Sequence, residues 1–163
     1  MPADSVFQVK VSLAHIRPPV WRRLLVPADV PLGRLHQVIQ AAMGWEDCHM
    51  HAFETPQGDF GRPDTELGYK DERKVPLHVV ASAVGDKIGY TYDFGDDWVH
   101  HVQIEKILSR VPGTVYPRCL TGRRACPPEG CGGPWGYGEF LAAITDPDHS
   151  DLVEINQLLA KTS

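Results

Sequence analysis

The sequence contains no apolar run near the roughly 18 residues that cross a bilayer, and its 16 lysines and arginines are outnumbered by 21 acidic residues. The first absence argues against a membrane-spanning helix and a membrane partner. The net charge of −5 argues against the broad basic surface that sequence-independent nucleic-acid binding requires. The opening residues, MPADSVFQVK, lack the charged region and apolar core of a signal peptide, so we expect a cytoplasmic protein.

Cysteine is also scarce, with four residues in a chain of 163. In the cytoplasm such cysteines are typically thiols or metal ligands rather than disulfides. The chain length suits one domain spanning residues 1–163. The 14 prolines and 15 glycines favour a fold with many turns.

The clearest pattern in the chain lies at residues 88–104, IGYTYDFGDDWVHHVQI. Apolar residues alternate on both sides of an acidic Gly-Asp-Asp turn, which predicts a β-hairpin. The pattern places these residues in the core: Tyr90, Tyr92, Phe94, Trp98, Val102 and Ile104.

The remaining periodicities complete a predicted α+β domain. Residues 6–13 and 20–26 alternate as strands, with Arg22 and Arg23 expected at the surface. An apolar stripe after Pro31 predicts a helix that ends at Gly44, and His36 on that stripe is interpreted as a core-edge histidine. We therefore expect a twisted, mainly antiparallel sheet with a central β-hairpin, packed against three to four helices. Residues 112–138 are predicted to form a Pro/Gly/Cys-rich loop.

The cysteines of that loop are candidate zinc ligands. Cys119, Cys126 and Cys131 follow the spacing C-x6-C-x4-C, and two glycines follow the last cysteine. Three thiolates need a fourth ligand to close a tetrahedral zinc site. The candidates for it are His100 first, then His49, His51 and Cys48. The competing interpretation is three small thiols buried in the loop.

The turn of the hairpin supplies a second candidate, a carboxylate–histidine site. Its members are Asp93, Asp96, Asp97 and His100. Such a set can bind a divalent ion and activate water. The competing interpretation is turn chemistry, in which aspartate side chains accept hydrogen bonds from nearby backbone N–H groups.

A third candidate is a local arginine patch for nucleic acid, formed by Arg118, Arg123 and Arg124 near aromatic residues. The alternative is an ordinary charged surface. Serine recombination is not expected, because no serine lies in a glycine-rich loop with several arginines.

Three long segments resemble the plasmid pRiA4b ORF-3-like family, some members of which are labelled transposon passenger proteins or resolvases. The segments are PPVWRRLLVPADVPLGRLHQVIQAAMGWEDCHMHAF (residues 18–53), YTYDFGDDWVHHVQIEKIL (90–108) and YPRCLTGRRACPPEGCGGPWGYGEFL (116–141). Gly130 stands where family members carry aspartate, and the C-terminal part is shorter than usual. The resemblance implies an α+β fold and no established activity.

The distinctive residues are turn, aromatic and cysteine types without a complete catalytic set. We therefore expect a non-enzymatic binding or accessory domain, with zinc as its candidate structural metal and with protein or nucleic acid as its candidate partners. The alternative is a metal-dependent hydrolase or nuclease that uses the DFGDDWxH motif.

Overall fold

The structure, a computed structural model, describes residues 4–124 and 152–160. Its strands are β1 (Ser5–Leu13), β2 (Trp21–Pro27), β3 (His51–Thr55), β4 (Gly58–Gly61), β5 (Lys70–Asp71), β6 (Lys87–Tyr92), β7 (Trp98–Ser109) and β8 (Arg118–Arg123). Its helices are α1 (Leu32–Met43), α2 (Leu77–Val80) and α3 (Leu152–Ala160), with one 3-10 turn at Glu72–Lys74.

All eight strands form one sheet in the order β5-β4-β3-β6-β7-β1-β2-β8. Every neighbouring pair is antiparallel except β4 and β5. The predicted hairpin is present: β6 pairs with β7 from Tyr92 opposite Trp98 to Lys87 opposite Gln103, in the middle of the sheet. The aromatic side chains of these two strands are fully buried, which makes the hairpin the centre of the core.

Helix α1 packs its apolar stripe against the sheet, and Leu32, Leu35 and Ile39 are fully buried. Gly44 ends the helix in a left-handed conformation at φ 73°, and its N–H donates to the carbonyl of Ala41. The chain then folds back so that the ring of Trp45 stacks on Tyr92, with 5.2 Å between ring centroids.

The expectation of a sheet packed against three to four helices is wrong. Among the described residues, only α1 and α3 exceed one turn, and α2 is a single turn of four residues. The apolar pattern after Pro76 is too short to support a longer α2, because a helix of one turn makes few of the backbone hydrogen bonds that stabilise a helix.

Strand β8 lies inside the segment that the sequence predicts to be a loop. It is held by pairing with β2 along Trp21–Leu25, with a register shift between Arg23 and Leu24. That pairing is a long-range interaction that leaves no period-two apolar pattern, which is why composition alone misses the strand.

Two residues of the predicted strands differ from their expected environments. Phe94 is 40% exposed, because the chain leaves the sheet after Tyr92 and enters the turn. Arg22, expected at the surface, is 2% exposed, and its Nε donates to the carbonyl of Ala42. Its Nη1 donates to the carbonyls of Trp21 and Arg123, so one buried guanidinium joins α1, β2 and the end of β8.

Gly122 is required where β8 crosses Arg22. A Cβ at this position would lie 2.7 Å from Cδ of Arg22 and 2.8 Å from the carbonyl oxygen of Trp21. We expect Gly122→Ala to lower the free energy of unfolding by about 1–3 kcal/mol, since the added methyl group forces the Arg22 side chain or the Trp21 backbone to move. Urea denaturation measures this loss. Gly95→Ala is the control, because there a Cβ meets only Oδ1 of Asp93 at 3.4 Å; equal losses in the two variants would contradict the crowding argument.

No helix in the parts of the chain that the structure describes is long and apolar enough to cross a membrane.

Candidate metal centre

In the hairpin turn, the carboxylate of Asp93 accepts hydrogen bonds from the backbone. Asp93 has φ 62°, and its Oδ1 accepts hydrogen bonds from the N–H groups of Gly95 at 3.1 Å and Asp96 at 3.3 Å. Asp97 also adopts a positive φ of 61°. These are the contacts of an aspartate-stabilised turn. The remaining oxygen of Asp93 lies 3.5 Å from Nε2 of His49.

His100 does not extend towards that turn. Its side chain is fully buried, and its ring packs edge-on against Trp45 and Tyr90. Nδ1 lies 3.1 Å from the carbonyl oxygen of Tyr90 and must carry the proton, because a carbonyl only accepts. Burial is the main cause that lowers the pKa of His100 to about 4, so the ring is neutral at pH 7.

This buried imidazole predicts a specific acid sensitivity. The pKa of His100 is below 6.5 in the folded state, so the unfolded chain binds more protons between pH 6.5 and about 4. Its contribution to stability is therefore complete above pH 6.5 and falls as the pH drops towards 4, by a total of about 3 kcal/mol. In urea denaturation over this range, His100→Phe is expected to flatten the pH dependence. The exposed neighbour His101, changed to Gln, is the control, and an unchanged slope in His100→Phe would contradict this assignment.

Within the part of the chain that the structure describes, the candidate zinc ligands Cys119 and His100 do not lie close together. Cys119 lies on β8 and His100 on β7, three strand spacings apart, which is roughly 14 Å before any offset along the strands. Burial raises the pKa of the Cys119 thiol, and its Sγ lies 3.6 Å from the carbonyl oxygen of Thr121. Cys126 and Cys131 lie outside the described residues, so a zinc site in that loop stays a prediction.

The alternative fourth ligands lie on the other side of the sheet centre, at the start of β3. Cys48 is exposed, and Sγ is 3.8 Å from the hydroxyl of Tyr92. The ring of His49 meets Tyr92 edge-on. His51 points into a different and more concentrated cluster.

The predicted arginine patch is dispersed. Arg118 and Arg123 are exposed at the two ends of β8, roughly 16 Å apart along the strand. Arg124 donates from Nη1 to the carbonyl of Pro19 at 2.9 Å. The described residues thus place these arginines on one edge of the sheet without gathering them, and nucleic-acid binding stays a prediction.

The most concentrated set of ligating groups is one that the sequence did not single out. His36, Asp47 and His51 each present a ligand atom within 4.8 Å of the others. The two imidazole rings stack with centroids 3.4 Å apart and planes 6° from parallel. Nε2 of His36 lies 2.7 Å from Oδ1 of Asp47, and Nε2 of His51 lies 2.5 and 2.8 Å from the two oxygens of Glu72.

Outer contacts fix the two histidines. Nδ1 of His36 lies 2.6 Å from the hydroxyl of Tyr90, which also receives a hydrogen bond from Nε2 of Gln40 at 3.0 Å. Burial raises the pKa of Tyr90 well above its ordinary value, so the hydroxyl stays protonated. Burial, and then the nearby His51, lower the pKa of His36, which favours the neutral imidazole that binds metals. Glu72 is itself buried and holds His51 from the other side.

Four separate segments build this cluster. His36 comes from the middle of α1, and Asp47 from the turn after it, at φ 55° with its N–H donating to Oε1 of Gln40. His51 begins β3, and Glu72 begins the 3-10 turn. Gly33 allows the turn to approach α1, since a Cβ there would lie 3.3 Å from Cγ of Glu72.

The sequence signal for the site is weak. His36 lies on an apolar helical stripe, which is typical of a core histidine, and His51 is a candidate ligand from sequence only as a partner of the cysteine loop. Asp47 and Glu72 have no spacing motif that connects them to either histidine. Tertiary packing of α1 on the central hairpin brings them together.

The cluster opens into a cavity of about 690 Å³. The described lining includes His36, Asp47, His51, Glu72, Arg34, Arg62, Arg73, Asp71 and Pro63. A volume of this size falls in the range of small-molecule sites, about 300–1,000 Å³.

Comparison with known proteins identifies relatives along nearly the whole chain. A family model described as "Plasmid pRiA4b ORF-3-like protein" matches residues 5–162. An uncharacterised protein of Sinorhizobium fredii, y4hQ, is 46% identical over 148 residues, covering 89% of this chain and 76% of the relative.

A solved structure shares the fold. It is the crystal structure of a protein of unknown function, MM3350, from Methanosarcina mazei Go1. The two match with a TM-score of 0.85 and 35% sequence identity, over 94% of this chain and 98% of that chain. Neither relative's description names a ligand or a reaction, so function must be argued from the site.

Proposed function

The chain belongs to the plasmid pRiA4b ORF-3-like family, and we propose that it is a binding domain built around a divalent transition metal held by His36, Asp47 and His51. The single observation that carries the proposal is the convergence of these three ligating groups, each within 4.8 Å of the others, at a cavity. Two imidazoles and a carboxylate suit zinc and neighbouring metals of the first transition row.

The surrounding contacts include those expected around ligating histidines. Metal-binding histidines usually engage their second nitrogen with an outer partner, which fixes ring orientation. His36 has such a partner in Tyr90, which contacts Nδ1, and Glu72 contacts Nε2 of His51, so that His51 would ligate through Nδ1. The three ligating side chains come from α1, the turn after it and β3. Glu72 is not one of them and keeps its contact with the ring of His51.

A set of three protein ligands leaves at least one coordination position for a water or a bound ligand. Because the three residues line the cavity, a metal held there would be within reach of an exchangeable ligand, which suits ligand binding more than purely structural support. The cysteine loop remains a separate candidate for structural zinc. An accessory, non-enzymatic role is consistent with a metal at the histidine centre and with one in the cysteine loop.

The second candidate function is a metal-dependent hydrolase, which we propose at these three residues instead of at the DFGDDWxH motif. The observation that favours it is the cavity beside His36, Asp47 and His51, since a metal held there would lower the pKa of a water bound to it. The hairpin residues do not support that role, because Asp93 binds turn amides and His100 is buried in the core.

Metal content and a thermal melt with and without chelator test the proposal. The purified protein, dialysed against zinc and then buffer, is expected to retain zinc, and EDTA is expected to lower its Tm by mass action. The variant Cys119→Ser serves to separate the two candidate sites: it is expected to keep the zinc bound at the histidine centre. Absence of retained zinc, together with a Tm that EDTA leaves unchanged, would reject the metal centre.

A further inference from the structure

The wall of the cavity beside the histidine cluster includes guanidinium groups that no carboxylate of the described residues pairs with. Arg73 is engaged by Asp71, with Nη2 2.9 Å from Oδ2 and Nε 3.0 Å from Oδ1. Arg34 and Arg62 also line the cavity, and neither has a carboxylate partner among the residues that the structure describes. Two guanidinium groups are thus available to a ligand.

The charge balance of the cavity favours an anion once a metal is present. Among the described residues that line it, three arginines are matched by three carboxylates, those of Asp47, Asp71 and Glu72. A bound divalent ion therefore leaves a net positive site. A dianion with several oxygens can occupy the open metal position and accept hydrogen bonds from both free arginines.

A second cavity continues from the first. It has a volume of about 430 Å³ and shares Asp47, His51, Arg62 and Pro63 with its neighbour. Its other lining residues include Met50 and Tyr69, and Met50 is 55% exposed. The exposed ring of Phe94 lies next to Tyr69, with 6.4 Å between centroids. An exposed thioether and aromatic rings provide a surface for a planar apolar group.

We infer that the site binds a phosphate monoester whose organic part is planar and largely apolar. The phosphoryl group lies in the first cavity, on the metal and between Arg34 and Arg62, and the organic part lies over Met50 and Tyr69 in the second. Phosphate is the anion class that best matches a divalent ion with two guanidinium forks. This inference rests on the proposed metal centre.

The test is isothermal titration of the zinc-loaded protein with phenyl phosphate, after zinc content has been measured in every variant. Arg62→Gln is expected to weaken binding about tenfold or more, since it removes charge-assisted hydrogen bonds, while zinc content stays the same. Arg34→Gln is expected to act in the same direction. Arg17→Gln, an exposed arginine outside both cavities, is the matched control and is expected to bind as the parent does.

Two further ligands separate the parts of the inference. Inorganic phosphate is expected to bind more weakly than phenyl phosphate, with Met50→Ser reducing the difference, and phenol alone is expected not to bind. If zinc is retained but phenyl phosphate does not bind, or binds equally well to Arg62→Gln, the phosphate inference is wrong and the metal centre stands. If zinc is not retained, the proposed function fails before the phosphate titration begins.

Discussion

His51→Ala and Asp47→Asn are each expected to lower the affinity for Zn²⁺ by more than about 100-fold, because even the loss of an outer partner of a metal ligand costs about 10–100-fold. His51 supplies one of two imidazoles, and Asp47 supplies the carboxylate. Asparagine suits position 47 structurally, since it tolerates the observed φ of 55° and leaves the backbone N–H bonded to Gln40. Competition with a chromophoric zinc chelator measures the affinities.

His101→Ala is the control for this series. His101 is exposed on β7 and takes no part in the cluster, so the variant is expected to bind zinc as the parent protein does. Because Asp47 is half-exposed, with 51% side-chain exposure, Asp47→Asn is expected to fold normally. Parent-like zinc affinity in a folded Asp47→Asn and in His51→Ala would show that these residues form a hydrogen-bonded polar cluster only.

Arg22→Met is expected to destabilise the fold by about 3 kcal/mol, since buried acceptors that lose their partner cost about 1–3 kcal/mol each. The guanidinium of Arg22 donates hydrogen bonds to the carbonyls of Ala42, Trp21 and Arg123. These bonds join the end of α1 to β2 and β8. Methionine keeps most of the side-chain volume and removes the donors. Urea denaturation at pH 7 in the presence of EDTA separates this effect from any metal contribution.

Arg23→Met is the matched control, since Arg23 is the next residue along β2 and faces the other way. It forms a bidentate ion pair with Glu105, with Nε 2.7 Å from Oε1 and Nη2 3.0 Å from Oε2, at a partly exposed position. Partly exposed pairs contribute about 1 kcal/mol or less. Equal destabilisation by the two variants would contradict the structural role assigned to Arg22.

Local patterns predicted the parts of the fold that rest on local physics. The alternation at residues 88–104 predicted the β6–β7 hairpin, and the stripe after Pro31 predicted α1 and its end at Gly44. The same reasoning failed where tertiary contacts decide the outcome. Arg22 is buried by bonds to three carbonyls from distant segments, and β8 exists through its pairing with β2.

The candidate site likewise depends on tertiary contacts that local sequence patterns do not reveal. Residue types at the hairpin tip suggested chemistry there, yet Asp93 satisfies turn amides and His100 is a neutral core residue. His36 is indistinguishable from a core histidine by periodicity, because its function depends on Asp47 and His51 being brought to it by the turn after α1 and by β3. The sequence offers His51 as an alternative ligand for the cysteine loop and His36 as a core-edge histidine, and it gives no signal that joins the two.

X-ray absorption at the zinc edge, on protein loaded with one equivalent of zinc, tests the central claim most directly. The histidine centre predicts a first shell of nitrogen and oxygen only, at about 2.0–2.2 Å, with imidazole scattering beyond it. His51→Ala is expected to abolish that spectrum. In the Cys119→Ser variant, which breaks the cysteine set, a first shell that still contains sulfur at about 2.3 Å would contradict the account, because it would place the metal on the remaining cysteines instead of on His36, Asp47 and His51.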